Sequence, residues 1–254
     1  MRSQPVSFPN PSGELLVATL DLPGGGEPAG WAICAHGFTC GRKFKPVVHL
    51  ARALTARGVA VLRFDFTGVG ESAGDLAATT LTLNRGDVVA AAEWLTRNHA
   101  APRLLVGHSL GGAAVLLAAA DLPAVAAVAV IGTPDEPAHL SPPLAALRDE
   151  ALSRGMAPLS AGGRDYRVGA AFFADLATVR LREAVAALGR PLLVMHALAD
   201  DLVPLARGEA LFAAARHPKS FVCLDGADHL LLDDRHARRA GGIIAAWASP
   251  WLGG

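Results

Sequence analysis

The chain has no net charge at neutral pH, with 23 Lys and Arg balanced by 23 Asp and Glu. That balance leaves no electrostatic footprint for a nucleic acid or an anionic membrane. Its one small basic cluster, Arg235, Arg238 and Arg239, is expected on the wet face of a terminal helix. Cysteine is equally scarce: Cys34, Cys40 and Cys223 form no spaced set. The odd count excludes a disulfide framework. With two of the three inside expected strands, it points to reduced, buried thiols and a cytoplasmic setting. Neither C-x-x-C nor H-E-x-x-H spacing occurs, so no metal is expected, and nothing calls for a cofactor. Residues 1–11 are polar and proline-bearing, unlike a signal peptide. Residues 112–131 are apolar enough to suggest a membrane span, but Asp121 and Pro123 interrupt them, and helix, turn and buried strand explain them better. The glycines of residues 65–72 lack the closing G-K-[ST] of a phosphate-binding loop. There is no internal repeat and no low-complexity linker.

What the chain does have is core-forming material, 52% apolar residues over 254 positions, enough for one α/β domain. Residues 5–9 and 14–22 alternate weakly around a turn cluster and predict an antiparallel hairpin at a sheet edge. Continuously apolar runs at 31–35, 59–64, 104–108, 124–131, 191–195 and 220–224 predict buried strands. Between them, helical spacing recurs at 44–54, 81–99, 110–121 and 205–215, and a closing helix lies within 229–247. This alternation predicts a mostly parallel sheet with helices on both faces. The rhythm breaks at 133–190. There, prolines lead into a helix at 144–154, a hairpin around Gly162-Gly163, and a helical stretch at 170–188. That insertion, with Met156, Leu159, Tyr166, Phe172 and Phe173, is expected to be a lid over a pocket. A satellite layer with its own small core is the alternative.

Chemistry concentrates where predicted strands end. Ser109 sits in Gly107-His108-Ser109-Leu110-Gly111, between a short strand and an Ala/Leu-rich helix. A serine on so sharp a turn needs glycine neighbours, because side chains there would strike the adjoining strand and helix. Ligands of such sheets bind beyond the carboxyl ends of the strands. Asp200 follows the 191–195 strand and His229 follows the last one, which gives the chain order nucleophile, acid, base. A serine hydroxyl needs a base to take its proton, which His229 can supply and later return to the leaving group. Asp200 would fix the imidazole tautomer and stabilise its charged form. The backbone amides of Leu110 and Phe38 are the expected oxyanion donors.

Each role has rivals. Asp201 adjoins Asp200, but the spacing to Val203-Pro204 favours Asp200, and Asp225 and Asp228 are better suited to turn hydrogen bonds. His36 is expected to order the oxyanion loop, His108 to flank the nucleophile, and His196 to be a packed polar residue. Cys40 has no elbow around it. For substrate contact the expected residues are Phe38, His108, Tyr166, Phe172 and Phe173.

Together, His36-Gly37-Phe38, residues 65–72, Gly107 through Gly112, Asp200 with Val203-Pro204, and Gly226 through His229 resemble the α/β-hydrolases over nearly the whole chain. More narrowly, residues 63–68 and 217–229 resemble the hydrolase half of bacterial proteins that fuse this domain to an OsmC-like one. Nothing in these 254 residues resembles the second half, so no peroxide-handling role is expected from the resemblance. The resemblance implies a serine hydrolase acting on small-molecule esters. It also allows a thioesterase, a peptidase, an acyltransferase, or a binding module that has lost catalysis.

Overall fold

A computed structural model describes residues 1–139 and 142–253. The chain opens with β1 (Arg2–Pro9) and β2 (Leu15–Leu22), then β3 (Gly30–Ala35), α1 (Lys45–Thr55), β4 (Val59–Phe64), α2 (Leu81–Asn98), β5 (Leu104–His108), α3 (Leu110–Ala118) and β6 (Ala127–Ile131). The insertion contributes α4 (Pro142–Arg154), β7 (Met156–Ala161), β8 (Arg164–Gly169), α5 (Ala170–Thr178) and α6 (Leu181–Ala186). The sheet resumes with β9 (Leu192–Ala197), α7 (Leu205–Ala214) and β10 (Lys219–Leu224), and α8 (Asp234–Leu252) closes the fold.

Eight strands form one sheet in the order β1-β2-β4-β3-β5-β6-β9-β10, parallel from β4 to β10, with the β1–β2 hairpin antiparallel at one edge. The continuous apolar runs are explained by burial on both faces. Ile33, Leu62, Leu105 and Val128 point into one core layer with residues of α2 and α3. Their neighbours Ala32, Val61, Val106 and Ala129 point into the other, with residues of α1 and α8. Local signals set the helix ends. The Thr80 hydroxyl caps α2 by accepting from the Leu83 amide, and Gly58, at φ +81°, turns the chain back after α1. Among the described residues no helix is long and apolar enough to cross a membrane. The apolar stretch 112–131 divides into α3, a 3₁₀ turn and β6.

Two sequence expectations need correction. The helical stretch 170–188 is two helices, broken where Val179 and Arg180 leave helical geometry. At about 100° per residue, one unbroken helix would aim Leu181 and Val185 away from the side of Phe172 and Leu176. The break lets both sets bury, and α6 packs against α3 and α7. The thiols also differ from expectation. Cys34 is buried and its pKa is pushed up to about 12, chiefly by desolvation, whereas Cys223 is exposed because β10 is an edge strand.

Candidate active site

The turn after β5 places Ser109 in an unusual backbone state, φ +53° and ψ −123°. A non-glycine residue there costs about 1–3 kcal/mol, so the surroundings must hold it. They do so through three hydrogen bonds: Ser109 N–H donates to Ile131 O at 2.8 Å, Gly112 N–H to Ser109 O at 2.9 Å, and Thr133 Oγ1 to Ser109 O at 3.1 Å. The glycines make room. A Cβ on Gly107 would lie 2.5 Å from the Gly112 Cα, and one on Gly111 would lie 2.2 Å from the His36 carbonyl oxygen. These are backbone collisions, which no rotamer change relieves.

His229, on the loop after β10, brings its Nε2 to 3.0 Å from Ser109 Oγ. Its Nδ1 donates to Asp200 Oδ2 at 2.7 Å, from the loop after β9. The other Asp200 oxygen accepts from the Leu202 and Val203 amides at 3.0 and 2.7 Å. Burial alone would push the Asp200 carboxyl up. The hydrogen bonds from His229, Val203 and Leu202 and the nearness of the imidazole outweigh it, so its pKa lies below the ordinary carboxylate value. Asp201 is exposed, and Asp228 accepts from the Leu232 amide in a local turn. Gly132 gives His229 its space, since a Cβ there would sit 3.2 Å from the ring.

The loop after β3 forms the facing wall. Among the described residues the amides of Phe38 and Leu110 donate no intramolecular hydrogen bond, and both residues line the pocket that holds Ser109. Leu110 opens α3, where the first amides of a helix are unsatisfied and favour negative charge. His36 secures this loop: its Nδ1–H donates to Gly37 O at 2.7 Å, and its Nε2 accepts from the Phe66 amide at 3.1 Å. Both bonds suit the neutral ring, and burial holds the His36 pKa below its ordinary value. His108 is also buried. Its Nε2–H donates to the carbonyl of His229 at 2.8 Å, tying the elbow to the histidine loop. Desolvation, with the His229 ring beside it, brings its pKa down to about 4.

The pocket encloses about 260 Å³ above Ser109 and is walled mainly by apolar groups, with Phe38, Leu110, Leu144, Phe172, Leu176 and Val203 among them. Phe38 stacks on Phe172 at 5.1 Å, joining the loop after β3 to the insertion. Phe173 lies behind this wall, buried edge-on to Phe172 at 5.3 Å, and does not line the pocket. Tyr166 is also away from Ser109, in an adjoining cleft, because the β7–β8 hairpin leans toward residues 70–71.

Two further groups support the site: His196, expected as a packed polar residue, is one, and the part each plays there escaped the sequence reading. His196, fully buried at the end of β9, donates from Nε2 to Val203 O at 2.8 Å and lies 3.5 Å from Asp200 Oδ2. It braces the turn that presents Asp200. Asp65, at the end of β4, receives the Arg42 amide and guanidinium, and Arg63 donates to the Arg42 carbonyl at 2.7 Å and to Asp21 at 2.6 Å. This buried ion set fixes the far half of the loop that carries Phe38. The one available signal was the position of Asp65 at a strand's carboxyl end.

A strand-elbow-helix serine, with a histidine and a carboxylate delivered by later strands of a mostly parallel sheet, defines a hydrolase-type α/β architecture. The model of the alpha/beta hydrolase family matches residues 32–241, and the chain belongs to that family. Among solved structures, it resembles the esterase domain of a Rhodothermus marinus protein, at 44% identity and a TM-score of 0.81 over 100% of both chains. Est1E from Butyrivibrio proteoclasticus, seen with ferulic acid, shares the fold at 22% identity and a TM-score of 0.80, covering 97% of this chain and 99% of that one. A monoacylglycerol lipase of Mycolicibacterium smegmatis is 30% identical over 73% of this chain and 75% of its own length. These likenesses point to the family and to esterases, not to a pairing with an OsmC-like domain.

Proposed function

We propose that the chain is a serine hydrolase that cleaves small or medium carboxylic esters through an acyl-enzyme on Ser109. The observation that carries this reading is the connected line from Ser109 Oγ through His229 to Asp200, at 3.0 and 2.7 Å. His229 Nε2 takes the hydroxyl proton as Oγ attacks the ester carbonyl, and Asp200 stabilises the resulting imidazolium. The tetrahedral oxyanion lies against the amides of Phe38 and Leu110. Its collapse breaks the bond to the alcohol, which leaves with the proton from His229; water then repeats the sequence in reverse and frees the acid. The apolar pocket takes the acyl group, and residues 133–190 act as its lid within a single α/β-hydrolase domain. The esterase and lipase relatives support an ester over a thioester, an amide or transfer to another acceptor.

A fluorophosphonate probe followed by peptide mapping tests the reading. Label on Ser109 and hydrolysis of p-nitrophenyl butyrate are expected, with turnover falling about 10⁴- to 10⁶-fold in Ser109→Ala. A protein that takes no label and hydrolyses no p-nitrophenyl ester overturns it and leaves a binding module on the scaffold.

A further inference from the structure

Beside the Ser109 pocket lies a second cleft of about 540 Å³. The two share Phe38, Cys40, Leu202 and Leu230, so they adjoin at the residue that follows His229. Their chemistry differs. The first is walled by hydrocarbon. The second runs between the loop after β3 with residues 70–71 on one side, and the β7–β8 hairpin on the other. Three cations line it, Arg42, Lys43 and Arg164, with two carboxylates, Asp65 and Glu71.

The pairing of these charges narrows what the cleft accepts. Arg42 is held by Asp65 and Glu71, and Lys43 by Glu71. Arg164 has no carboxylate among the described residues; it reaches across to donate to Gly70 O at 2.6 Å, which leaves further N–H groups for a ligand. The half-buried Tyr166 hydroxyl makes no protein hydrogen bond among the described residues. The cleft therefore offers donors and acceptors side by side, three cations against two carboxylates. A bare alkyl group would bury those polar groups unpaired, and an anion would find, among the described residues, a single cation without a carboxylate, Arg164, with Glu71 and Asp65 close by. Hydroxyl groups both donate and accept, and match such a surface.

We infer that this cleft binds the leaving alcohol of the substrate, and that the alcohol is polyhydroxylated, a glycerol or a sugar. The inference rests on the ester-hydrolase reading. In that reaction the alcohol oxygen must receive its proton from His229 Nε2, so the alcohol projects past His229 on the side where Leu230 and Leu202 border the cleft. The acyl chain then occupies the apolar pocket, and the two ends of the ester are sorted by polarity.

Three hexanoate esters test it: propyl, 1-glyceryl and 6-O-glucosyl. Propanol is glycerol without its two free hydroxyls, so the glyceryl-to-propyl ratio of kcat/KM isolates their recognition. The glucosyl ester separates a sugar from a glyceride source. The wild-type protein is expected to favour at least one polyol ester over propyl by about 10- to 100-fold. Arg164→Ala, Tyr166→Phe and Ala161→Phe, the last filling the cleft from the hairpin, are each expected to pull that ratio toward one. Unchanged circular dichroism checks that each variant is folded. Equal turnover of all three esters by the wild type overturns the inference while sparing the hydrolase reading. So does a preference that none of the three variants moves. Failure to hydrolyse any ester overturns the hydrolase reading itself.

Discussion

The carboxyl ends of β5, β9 and β10 and the insertion over them meet at one pocket but are held in different ways. Below, the turn at Ser109 is fixed by three hydrogen bonds, by glycines pressed against backbone and by buried histidines on either side. Above, the insertion adds Ala151, Val168, Phe172, Leu176 and Leu181 to the core layer it shares with α2 and α3, but its polar ties are mostly exposed, such as Arg164 to Gly70 and Asp175 to Thr82. Its firmest polar anchor is at the base, where Arg182 and Arg207 converge on the buried Asp135. On the proposed reading, reaction geometry belongs to the lower layer and substrate shape to the upper one. Substitutions in the lower layer should act on turnover or global stability, and those in the upper layer on selectivity or local motion.

The largest expected effect lies in the lower layer. Asp200→Asn keeps the shape but offers His229 an amide, which favours the wrong tautomer. Ester turnover is expected to fall by about 10⁴-fold, while Asp201→Asn, altering an exposed neighbour, stays near wild type. Steady-state kinetics on p-nitrophenyl butyrate separate the two, and the reverse pattern would move the acid to Asp201.

Next comes a pH effect on stability. His108 folds with a pKa of about 4, below the ordinary histidine value of about 6.5. Between about 4 and 6.5 the unfolded chain binds the extra proton and the folded one does not, so stability rises with pH in that range. Stability is therefore fully present above pH 6.5 and is lost as pH falls toward 4, by about 3 kcal/mol if the whole shift is realised. His108→Gln removes the titrating ring. Urea midpoints between pH 7.5 and 4 should fall less steeply in the variant than in the wild type. Parallel curves would mean that the buried ring is not held neutral.

Legibility in the sequence follows the same division. Strands buried on both faces are written as unbroken apolar runs, and Ser109 and Asp200 each follow one, while His229 follows the half-exposed edge strand β10, so the sheet and the juxtaposition of these side chains were readable. The insertion was less so. Phe172 and Phe173 are adjacent and equally apolar, yet one faces the pocket and the other packs behind it. That choice depends on where α5 docks. The break between α5 and α6 did have a trace in the opposed faces of Leu176 and Leu181. The Arg42–Asp65–Arg63–Asp21 set had almost none, because its members come from three separate strands and loops and meet only after the sheet forms.

A selectivity change should follow from the upper layer. Phe172→Ala removes the ring that stacks on Phe38 and opens the apolar pocket proposed to take the acyl group. The ratio of kcat/KM for p-nitrophenyl octanoate over butyrate is expected to rise by about tenfold, since a few methylenes in an apolar pocket are worth that much. An equal loss on both esters would instead make Phe172 part of the lower layer.

The smallest effect tests how loosely the insertion is tied. Asp175, on α5, accepts from the Thr82 amide at 3.0 Å and the Thr82 hydroxyl at 2.6 Å, both at an exposed site on α2. Exposed polar contacts of this kind contribute about 0.5–1 kcal/mol. Asp175→Ala is expected to lower the urea midpoint slightly and leave butyrate turnover unchanged. It should also raise amide hydrogen exchange in α5 while β5 and β9 keep their protection, because a weakly tied element opens without unfolding the sheet. If exchange rises equally in α5 and in the central strands, the insertion unfolds only together with the sheet, and the two layers form one cooperative unit.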